Sequence, residues 1–353
     1  MRVPLRVRVF DRYARRIFLG AGSPDSTSFE KEILCPDEET SLPPAIILPG
    51  QLDRVTGAPT ESTVAYEIDF VTRPRAVHVA TIAYHIKKAT LFNGSMYAGT
   101  WRLSILEGVR NAVPEIYITK AGLASSEVGN VYFGHWLKDD CTAHIIAQKY
   151  GRPLCVHHDR FPHRNDYASW FGQDWQPAGN AQIDHLVVFQ DFGQNSFKAA
   201  RFRKLRSMLR ARFRFDGSSK LIYLRRGEAG AGRLVENEEE ILDALLKKGF
   251  LVLDVVNDVL EKIVSELLNA KIVVSVEGSH VSHCTAALPE NSGIVLLQPA
   301  SRFATIHRGW ADNLSVRYGL VVGNQTNRGH HFAKNEILKT VDLMLKRIEA
   351  APS

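Results

Sequence analysis

The sequence predicts an α/β protein whose C-terminal half contains a parallel sheet covered by helices on both faces. Three observations indicate this class: short, fully apolar segments after residue 185, amphipathic segments of helical length between them, and a regular alternation of the two. The chain has 353 residues, of which 45% are apolar and 23% charged, and this excludes disordered, collagen-like and coiled-coil proteins. The length suggests about two domains.

The predicted elements of the C-terminal half follow one another in order along the chain. Strands are expected at 185–190, 220–224, 250–255, 271–276 and 293–297, and helices at 198–214, 238–248, 259–269, after Gly278 and at 331–348. In parallel sheets, ligands bind beyond the carboxyl ends of the strands. The loops that follow these strands are therefore the places where chemistry is expected.

The N-terminal part has a different pattern. Up to about residue 125 it consists of short β-rich pieces, such as 76–86 and 115–119, which are separated by prolines and glycines and predict strands without a topology. We therefore expect an N-terminal domain over 1–215, a C-terminal domain over 216–330 and a closing helix over 331–353.

Positive charge is concentrated in one segment. The formal net charge is +6, and residues 198–214 carry eight basic side chains and no acid. One positive face suits phosphate, anionic lipid or a partner, and is not typical of a general nucleic-acid binder. Phe202, Leu205 and Leu209 form an apolar stripe on this helix, which predicts a solvated helix or, alternatively, docking on an anionic membrane surface.

The four cysteines, Cys35, Cys141, Cys155 and Cys284, form no CxxC pair, so neither a zinc ribbon nor a disulfide framework is indicated. The sequence has no signal-peptide core and no run of 18 apolar residues. We expect a cytoplasmic protein that can lie peripherally on the inner face of the membrane.

The first candidate motif is RRGEAGAGRLVENEEE, residues 225–240, directly after a predicted strand. Its glycines let the backbone approach a phosphate, and Arg226 and Arg233 can each present a forked donor to a diphosphate. The motif is neither a Walker loop nor GxGxxG, and a flexible loop with solvated arginines is the alternative. Asn237 is expected to form a capping box with Glu240.

The second motif is SVEGSHVSHCTAA, residues 275–287, in which a strand ends and a helix begins. Backbone N–H groups at Gly278, Ser279 and His280, with the positive end of the helix dipole, form a seat for a pyrophosphate. Glu277 could accept hydrogen bonds from ribose or sugar hydroxyls. Alternatively, Ser279 is a simple N-cap, and the histidines share a helix face without forming a metal site.

The third motif is NVYFGHWLKDDCTAH, residues 130–144. It brings His135 close to Asp139 and Asp140, and a carboxylate can orient a histidine or act as a base itself. Trp136 could stack on a sugar. The alternative is an amphipathic helix with a core tryptophan and two solvated aspartates.

Taken in order, the segments GHWLKD, IYLRR, RLVENEEEILDALLKKGF, VEGSHVSH and LLQP resemble glycosyltransferase family 61 over about residues 126–300. Glu277-Gly278-Ser279 is similar to the bacterial branch, which contains capsular-polysaccharide biosynthesis proteins. The resemblance implies a GT-B fold of two Rossmann-like domains facing across a cleft. It also implies inverting transfer from a nucleotide-diphosphate sugar, such as a UDP-sugar, to a saccharide or glycolipid acceptor in bacterial surface polysaccharide synthesis.

The resemblance and the residues together assign roles. The nucleotide sugar is expected at Arg226, Arg233, Asn237, Glu277, Gly278, Ser279 and His280. The arginines neutralise the leaving phosphate, and no Asp-x-Asp is placed to hold a divalent metal, so neither a metal nor another cofactor is expected. His135 is the first candidate for the base that inversion requires, with Asp139 or Asp140 second.

Two other functions stay open. One is a non-catalytic nucleotide- or glycan-binding subunit of a polysaccharide-assembly complex that docks through the basic helix. The other is an epimerase or hydrolase on the same scaffold, which the family features favour less.

Overall fold

The computed structural model describes residues 7, 9–12, 16, 19–108, 116–157, 161–227 and 235–350. The chain splits into two compact units, each built from two segments. The first unit combines Met1–Glu38 with His78–Leu205, and the second combines Glu39–Val77 with Arg206–Ser353. The predicted domains, in contrast, are contiguous in sequence.

The described strands are β1 (Glu30–Cys35), β2 (Glu38–Ser41), β3 (Arg75–His78), β4 (Thr81–Phe92), β5 (Ser95–Ala98), β6 (Trp101–Ser104), β7 (Ile116–Leu123), β8 (Arg152–Leu154), β9 (Ala181–Gln190), β10 (Lys220–Arg225), β11 (Phe250–Asp254), β12 (Ala270–Val276), β13 (Gly293–Pro299), β14 (Arg317–Gln325) and β15 (His330–His331).

The described α-helices are α1 (Pro24–Thr27), α2 (Val64–Thr72), α3 (Glu127–Val131), α4 (Phe133–His135), α5 (Cys141–Ala147), α6 (Arg164–Trp170), α7 (Ser196–Arg212), α8 (Glu238–Lys247), α9 (Leu260–Leu268), α10 (Ser282–Ala287), α11 (Ile306–Asn313) and α12 (Lys334–Glu349). A π-helical turn spans Trp136–Asp140, and 3₁₀ turns span Leu52–Arg54, Gln148–Tyr150, Ser279–Val281 and Ala300–Arg302.

The first unit contains a mixed sheet. Its strand order is β6-β5-β4-β9-β7-β8, with β1 also paired to β4. The pairs of β4 with β1, β5 and β9 are antiparallel, whereas β7 is parallel to both β8 and β9. Residues such as Ile86, Leu91 and Ile183 form its buried core. This sheet departs from the parallel sheet expected of a Rossmann-like domain.

The second unit contains the predicted parallel sheet. Its strand order is β11-β10-β12-β13-β14-β15, and every neighbouring pair from β11 to β14 is parallel. Nearly every side chain of β12 and β13 is buried, as their apolar runs predict. The α/β class is therefore confirmed, and the GT-B arrangement stays a prediction.

The helices of this unit follow their sequence pattern. In α8, three glutamates occupy the first turn, where they interact favourably with the helix dipole, and Ile241, Leu242 and Leu245 form the buried face. Gly249 follows the helix with a φ of +86°, a conformation that glycine adopts without strain and that ends many helices. The predicted bounds of α8, α9 and α12 agree with the structure to within three residues.

The basic helix α7 buries the predicted stripe, because Phe202, Leu205 and Leu209 are at most 2% exposed. It does not present all its charges to solvent, since Lys198, Arg201 and Arg206 are also buried. The exposed basic side chains of the segment are Arg203, Lys204, Arg210, Arg212 and Arg214. No helix in the described part of the chain is both long and apolar enough to cross a membrane.

Candidate functional site

In the first unit, two predicted site residues and one lysine form a hydrogen-bonded network. His135 lies in α4, Asp139 in the π-helical turn that follows, and Lys198 in the first turns of α7. His135 Nδ1 lies 2.7 Å from Asp139 Oδ2, and Lys198 Nζ donates to Asp139 Oδ1 over 2.7 Å. Lys198 also donates to the carbonyl oxygen of Asp191. Both carboxylate oxygens of Asp139 are therefore engaged.

This network determines which nitrogen of His135 can accept a proton. Burial alone would raise the pKa of Asp139, but Lys198 and the His135 hydrogen bond outweigh it and hold that pKa well below its usual range. An ionised carboxylate only accepts hydrogen bonds, so the neutral His135 ring carries its proton on Nδ1. Its Nε2 lone pair is then available, and 28% of the side chain is exposed.

Asp140, the second aspartate of the motif, has a different environment. It is 3% exposed, and it accepts hydrogen bonds from the hydroxyl and the backbone N–H of Ser126, at 2.7 and 3.2 Å. A side chain at Gly129 would collide with its carboxyl group. Burial, with Asp139 nearby, raises the pKa of Asp140 to about 8. The Asp140 carboxyl group therefore holds Ser126, the residue that caps the start of α3.

Trp136 lies in the core of the first unit with 0% of the residue exposed. Its ring packs against Trp175 at a centroid distance of 5.5 Å, and the Arg164 guanidinium lies 5.1 Å from the ring. The ring therefore has no free face on which a sugar could stack, as the core alternative for this tryptophan predicts.

In the second unit, a cluster forms at the carboxyl ends of the parallel strands. Glu277 follows β12, Arg226 follows β10, and Arg302 ends the 3₁₀ turn after β13. Glu277 is 4% exposed, and its Oε2 lies 3.6 Å from Arg302 Nη1. Burial, with Arg302 nearby, lowers the pKa of Arg226, and the charge of Glu277 opposes this. Two guanidinium groups thus lie beside one buried carboxylate.

His307, in the first turn of α11, faces the same carboxylate. Its Nε2 lies 3.8 Å from Glu277 Oε1, and its Nδ1 lies 3.0 Å from Trp310 Nε1. Because an indole nitrogen only donates, Nδ1 accepts this hydrogen bond and Nε2 carries the proton. The side chain is 3% exposed. The N–H group of His307 therefore lies near Glu277, beyond hydrogen-bond distance.

The residues after Glu277 occupy three kinds of position. Gly278 is buried and Ser279 is exposed, in a 3₁₀ turn that leads into the six-residue helix α10. His280 is turned inward, where its Nε2 lies 2.8 Å from the Ser275 hydroxyl, which itself donates to the carbonyl oxygen of Leu224. Ser275 thus links β12 to the neighbouring β10, and His280 contacts this serine, while Ser279 faces solvent.

Asn237 has a structural contact that the capping-box prediction did not include. Its side chain makes no capping hydrogen bond to α8. Instead, its amide donates to the carbonyl oxygen of Phe332 and accepts from the N–H of Phe332, at 2.8 and 3.0 Å. The capping box was wrong, because the Asn237 side chain accepts no backbone N–H of α8, although its amide also donates to Glu240 Oε2 at 3.3 Å. Arg233 lies outside the described residues.

Sequence reasoning missed Lys198, Arg302 and His307 as site residues. Lys198 belongs to the basic segment, whose lack of acids suggested a solvated surface, and its partner Asp139 lies 59 positions away. Arg302 and His307 lie just beyond the end of β13, at one of the strand ends where chemistry was expected. Their position after this strand could have identified Arg302 and His307 as candidates.

The described residues contain no group of three or more His, Cys, Asp or Glu side chains that could hold a metal ion. Residues 133–295 match the model of the protein family described as Glycosyltransferase 61. This span includes His135, Lys198, Arg226 and Glu277, and it ends before Arg302. No curated protein matches the chain.

Proposed function

We propose that this protein, whose residues 133–295 match the model of the Glycosyltransferase 61 family, transfers a sugar, with inversion, from a nucleotide-diphosphate sugar to a saccharide acceptor. A UDP-sugar is the proposed donor. The acceptor is proposed to be a saccharide or glycolipid of bacterial surface or capsular polysaccharide. The resemblance of Glu277-Gly278-Ser279 to the bacterial branch supports this assignment.

One observation carries the donor side of the proposal: Arg226 and Arg302 lie beside the buried Glu277 at the carboxyl edge of the parallel sheet. Ligands of parallel sheets bind at this edge. Each guanidinium can present paired N–H donors to a phosphate, and their charge stabilises the negative charge that builds up on the leaving diphosphate. Glu277 Oε2 lies 3.6 Å from Arg302 Nη1, and its charge favours the protonated form of Arg226.

We propose that His135 is the base that takes the proton of the acceptor. Its Nε2 accepts the proton of the acceptor hydroxyl as that oxygen attacks the anomeric carbon from the face opposite the diphosphate. Asp139 fixes the tautomer and stabilises the imidazolium that forms, and Lys198 keeps Asp139 ionised. Asp139 and Asp140 are weaker candidates for the base, since the former has both oxygens engaged and the latter is buried.

The arginines of the donor site can replace a metal ion as the source of positive charge. We assign the neutralisation of the diphosphate to Arg226, Arg302 and Arg233, so a divalent metal is not required.

We also propose that the exposed basic residues of α7, such as Arg203 and Arg210, dock the protein on the anionic inner face of the membrane.

The experiment that tests this function has two stages. Purified protein is first titrated by calorimetry with UDP, GDP, ADP and CMP and their common sugar conjugates, with and without magnesium. Micromolar binding of one nucleotide, unaffected by magnesium, supports the donor site. The His135→Gln variant should then bind that donor as the wild type does and lose turnover.

Other results favour other functions. Donor binding without transfer to any acceptor would favour the non-catalytic subunit of an assembly complex. Wild-type turnover in His135→Gln, Asp139→Asn and Asp140→Asn would show that the base lies elsewhere.

A further inference from the structure

Trp136 is buried, but another aromatic side chain near His135, that of Tyr132, is exposed. Tyr132 is three positions before His135, and 48% of it is exposed. The centroids of the Tyr132 and His135 rings are 6.0 Å apart, with 58° between the ring planes. An exposed aromatic ring therefore lies directly beside the proposed base.

The backbone fixes the position of Tyr132 relative to His135. The carbonyl oxygen of Tyr132 accepts hydrogen bonds from the N–H of His135 and of Trp136, at 3.0 and 3.1 Å. The N–H of Tyr132 donates to the carbonyl oxygen of Val128 in α3. Because Trp136 is held in the core, this turn connects Tyr132 and His135 to a rigid element.

The same turn exposes two further apolar side chains. Val128 is 47% exposed and Val131 is 50% exposed. Val128 and Val131 are three positions apart on α3 and share one face of it, and Tyr132 follows directly as the residue that caps this helix. Single exposed apolar residues are ordinary, but adjacent ones beside a polar reactive group indicate a binding surface.

The position of this surface indicates its occupant. Pyranose rings have an apolar C–H face that packs on aromatic rings, and polar hydroxyls at their edge. A base must lie within hydrogen-bond reach of the hydroxyl that it deprotonates. A sugar on the Tyr132 ring would therefore be held next to His135, whose Nε2 is the nitrogen not engaged by Asp139.

We propose that Tyr132 is the residue on which the acceptor sugar stacks, and that Val128 and Val131 extend this surface beneath the same acceptor. The inference rests on the proposed transferase function, since it gives His135 an acceptor hydroxyl to deprotonate. It assigns Tyr132 a role in acceptor specificity, and leaves the donor site unaffected.

Two kinds of measurement test the proposal in the full-length protein. The probes are methyl β-D-glycopyranosides of glucose, galactose, mannose and xylose. Saturation-transfer NMR measures sugar contact without turnover, and initial rates with the nucleotide sugar found by calorimetry give kcat and the acceptor KM. The variants are Tyr132→Ala, Tyr132→Phe and Tyr132→Trp, with Tyr66→Ala as a control at another exposed tyrosine.

Tyr132→Ala should raise the acceptor KM about fivefold to tenfold, in keeping with the loss of one aromatic contact. It should also abolish the saturation-transfer signal of the sugar, while the Kd of the donor and donor hydrolysis by water stay unchanged. Tyr132→Phe and Tyr132→Trp, which keep a ring, should restore both readouts, and Tyr66→Ala should match the wild type.

An unchanged acceptor KM and sugar signal in Tyr132→Ala would overturn the inference and leave the transferase proposal standing. A lower molar mass of Tyr132→Ala in light scattering would overturn it too, because the surface would then be an interface between two copies of the chain. Conversely, a Tyr132-dependent sugar signal without any transfer by the wild type would support the stacking and count against the transferase.

Discussion

Lys198 donates to Asp139 over 2.7 Å, although the two residues are 59 positions apart in the chain. Only 1% of the lysine side chain is exposed, against 32% of the aspartate. The ion pair therefore connects the buried side of α7 to the π-helical turn that directly follows His135. Removal of either charge should affect both the stability of the first unit and the proton held by His135.

Lys198→Met should lower the free energy of unfolding by about 3 kcal/mol, because it leaves the Asp139 carboxylate without its buried cation. Chemical denaturation monitored by circular dichroism measures this change. The control is Lys247→Met, which removes an exposed lysine from a helix of the second unit and should change stability by less than about 0.5 kcal/mol. Equal effects of the two substitutions would contradict a stabilising role of the pair.

Asp140 should make stability fall as the pH rises. Its pKa in the folded protein is about 8, above its unfolded value, so the folded state keeps a proton that the unfolded state has lost between pH 4 and 8. Over this window the free energy of unfolding should decrease by up to about 1.4 kcal/mol per pH unit from this group. Above pH 8 the contribution becomes constant.

Asp140→Asn removes this titration while it keeps the shape of the side chain. Urea denaturation at pH 5, 6, 7 and 8 should therefore show a weaker decline for the variant than for the wild type. Asp243→Asn, at an exposed position, should follow the wild type. Parallel curves for wild type and Asp140→Asn would show that Asp140 does not carry its proton in this range.

Arg226→Ala and Arg302→Ala should each weaken binding of the nucleotide diphosphate by roughly 1.5 to 3 kcal/mol, the range for a charge-assisted hydrogen bond. Arg233→Ala is predicted to have an effect of the same size. Calorimetry with UDP measures the change. Arg225→Ala is the matched control, because that guanidinium is engaged by Glu238 and Glu239. If Arg225→Ala lowered the affinity for UDP as much as Arg226→Ala does, Arg226 would have no specific role in binding.

The segment Glu39–Val77 should be required for the second unit to fold. Arg308 is 1% exposed, and its guanidinium donates to backbone carbonyl groups of this segment, including those of Phe70 and Val71. Ile46 also exchanges backbone hydrogen bonds with β14. A fragment of residues 206–353 should show no cooperative thermal unfolding, and the same fragment joined to residues 39–77 should regain it. Cooperative unfolding of the short fragment would contradict this.

The exposed basic residues of α7 should bind anionic membranes. Removal of Arg203, Lys204 and Arg210 together should weaken binding to vesicles of phosphatidylglycerol and phosphatidylcholine roughly a hundredfold, at about 1 kcal/mol per basic residue. Co-sedimentation at low salt measures it, and high salt should abolish the binding of the wild type. A triple alanine variant of the exposed Lys247, Lys339 and Lys346 is the control, and an equal loss there would indicate a non-specific charge effect.

Local sequence pattern predicted much of the second unit. The apolar runs of β10, β12 and β13 and the amphipathic pattern of α8 depend on residues that are close in sequence, so their type and bounds could be derived without the fold. The resemblance to the family, confirmed over residues 133–295, also depends on the order of local motifs. The same holds for the proximity of His135 and Asp139, which one helical turn brings together.

The tertiary structure alone decided which polar groups are buried and with which partners. Lys198 is a basic residue in a basic segment, and only the packing of α7 brings it to Asp139. Asn237 makes hydrogen bonds to Phe332, which is 95 positions away, and Glu39–Val77 contacts residues of the second unit that are more than 200 positions away. Such pairings depend on how distant segments pack, and side-chain periodicity along one element carries no information about its partner.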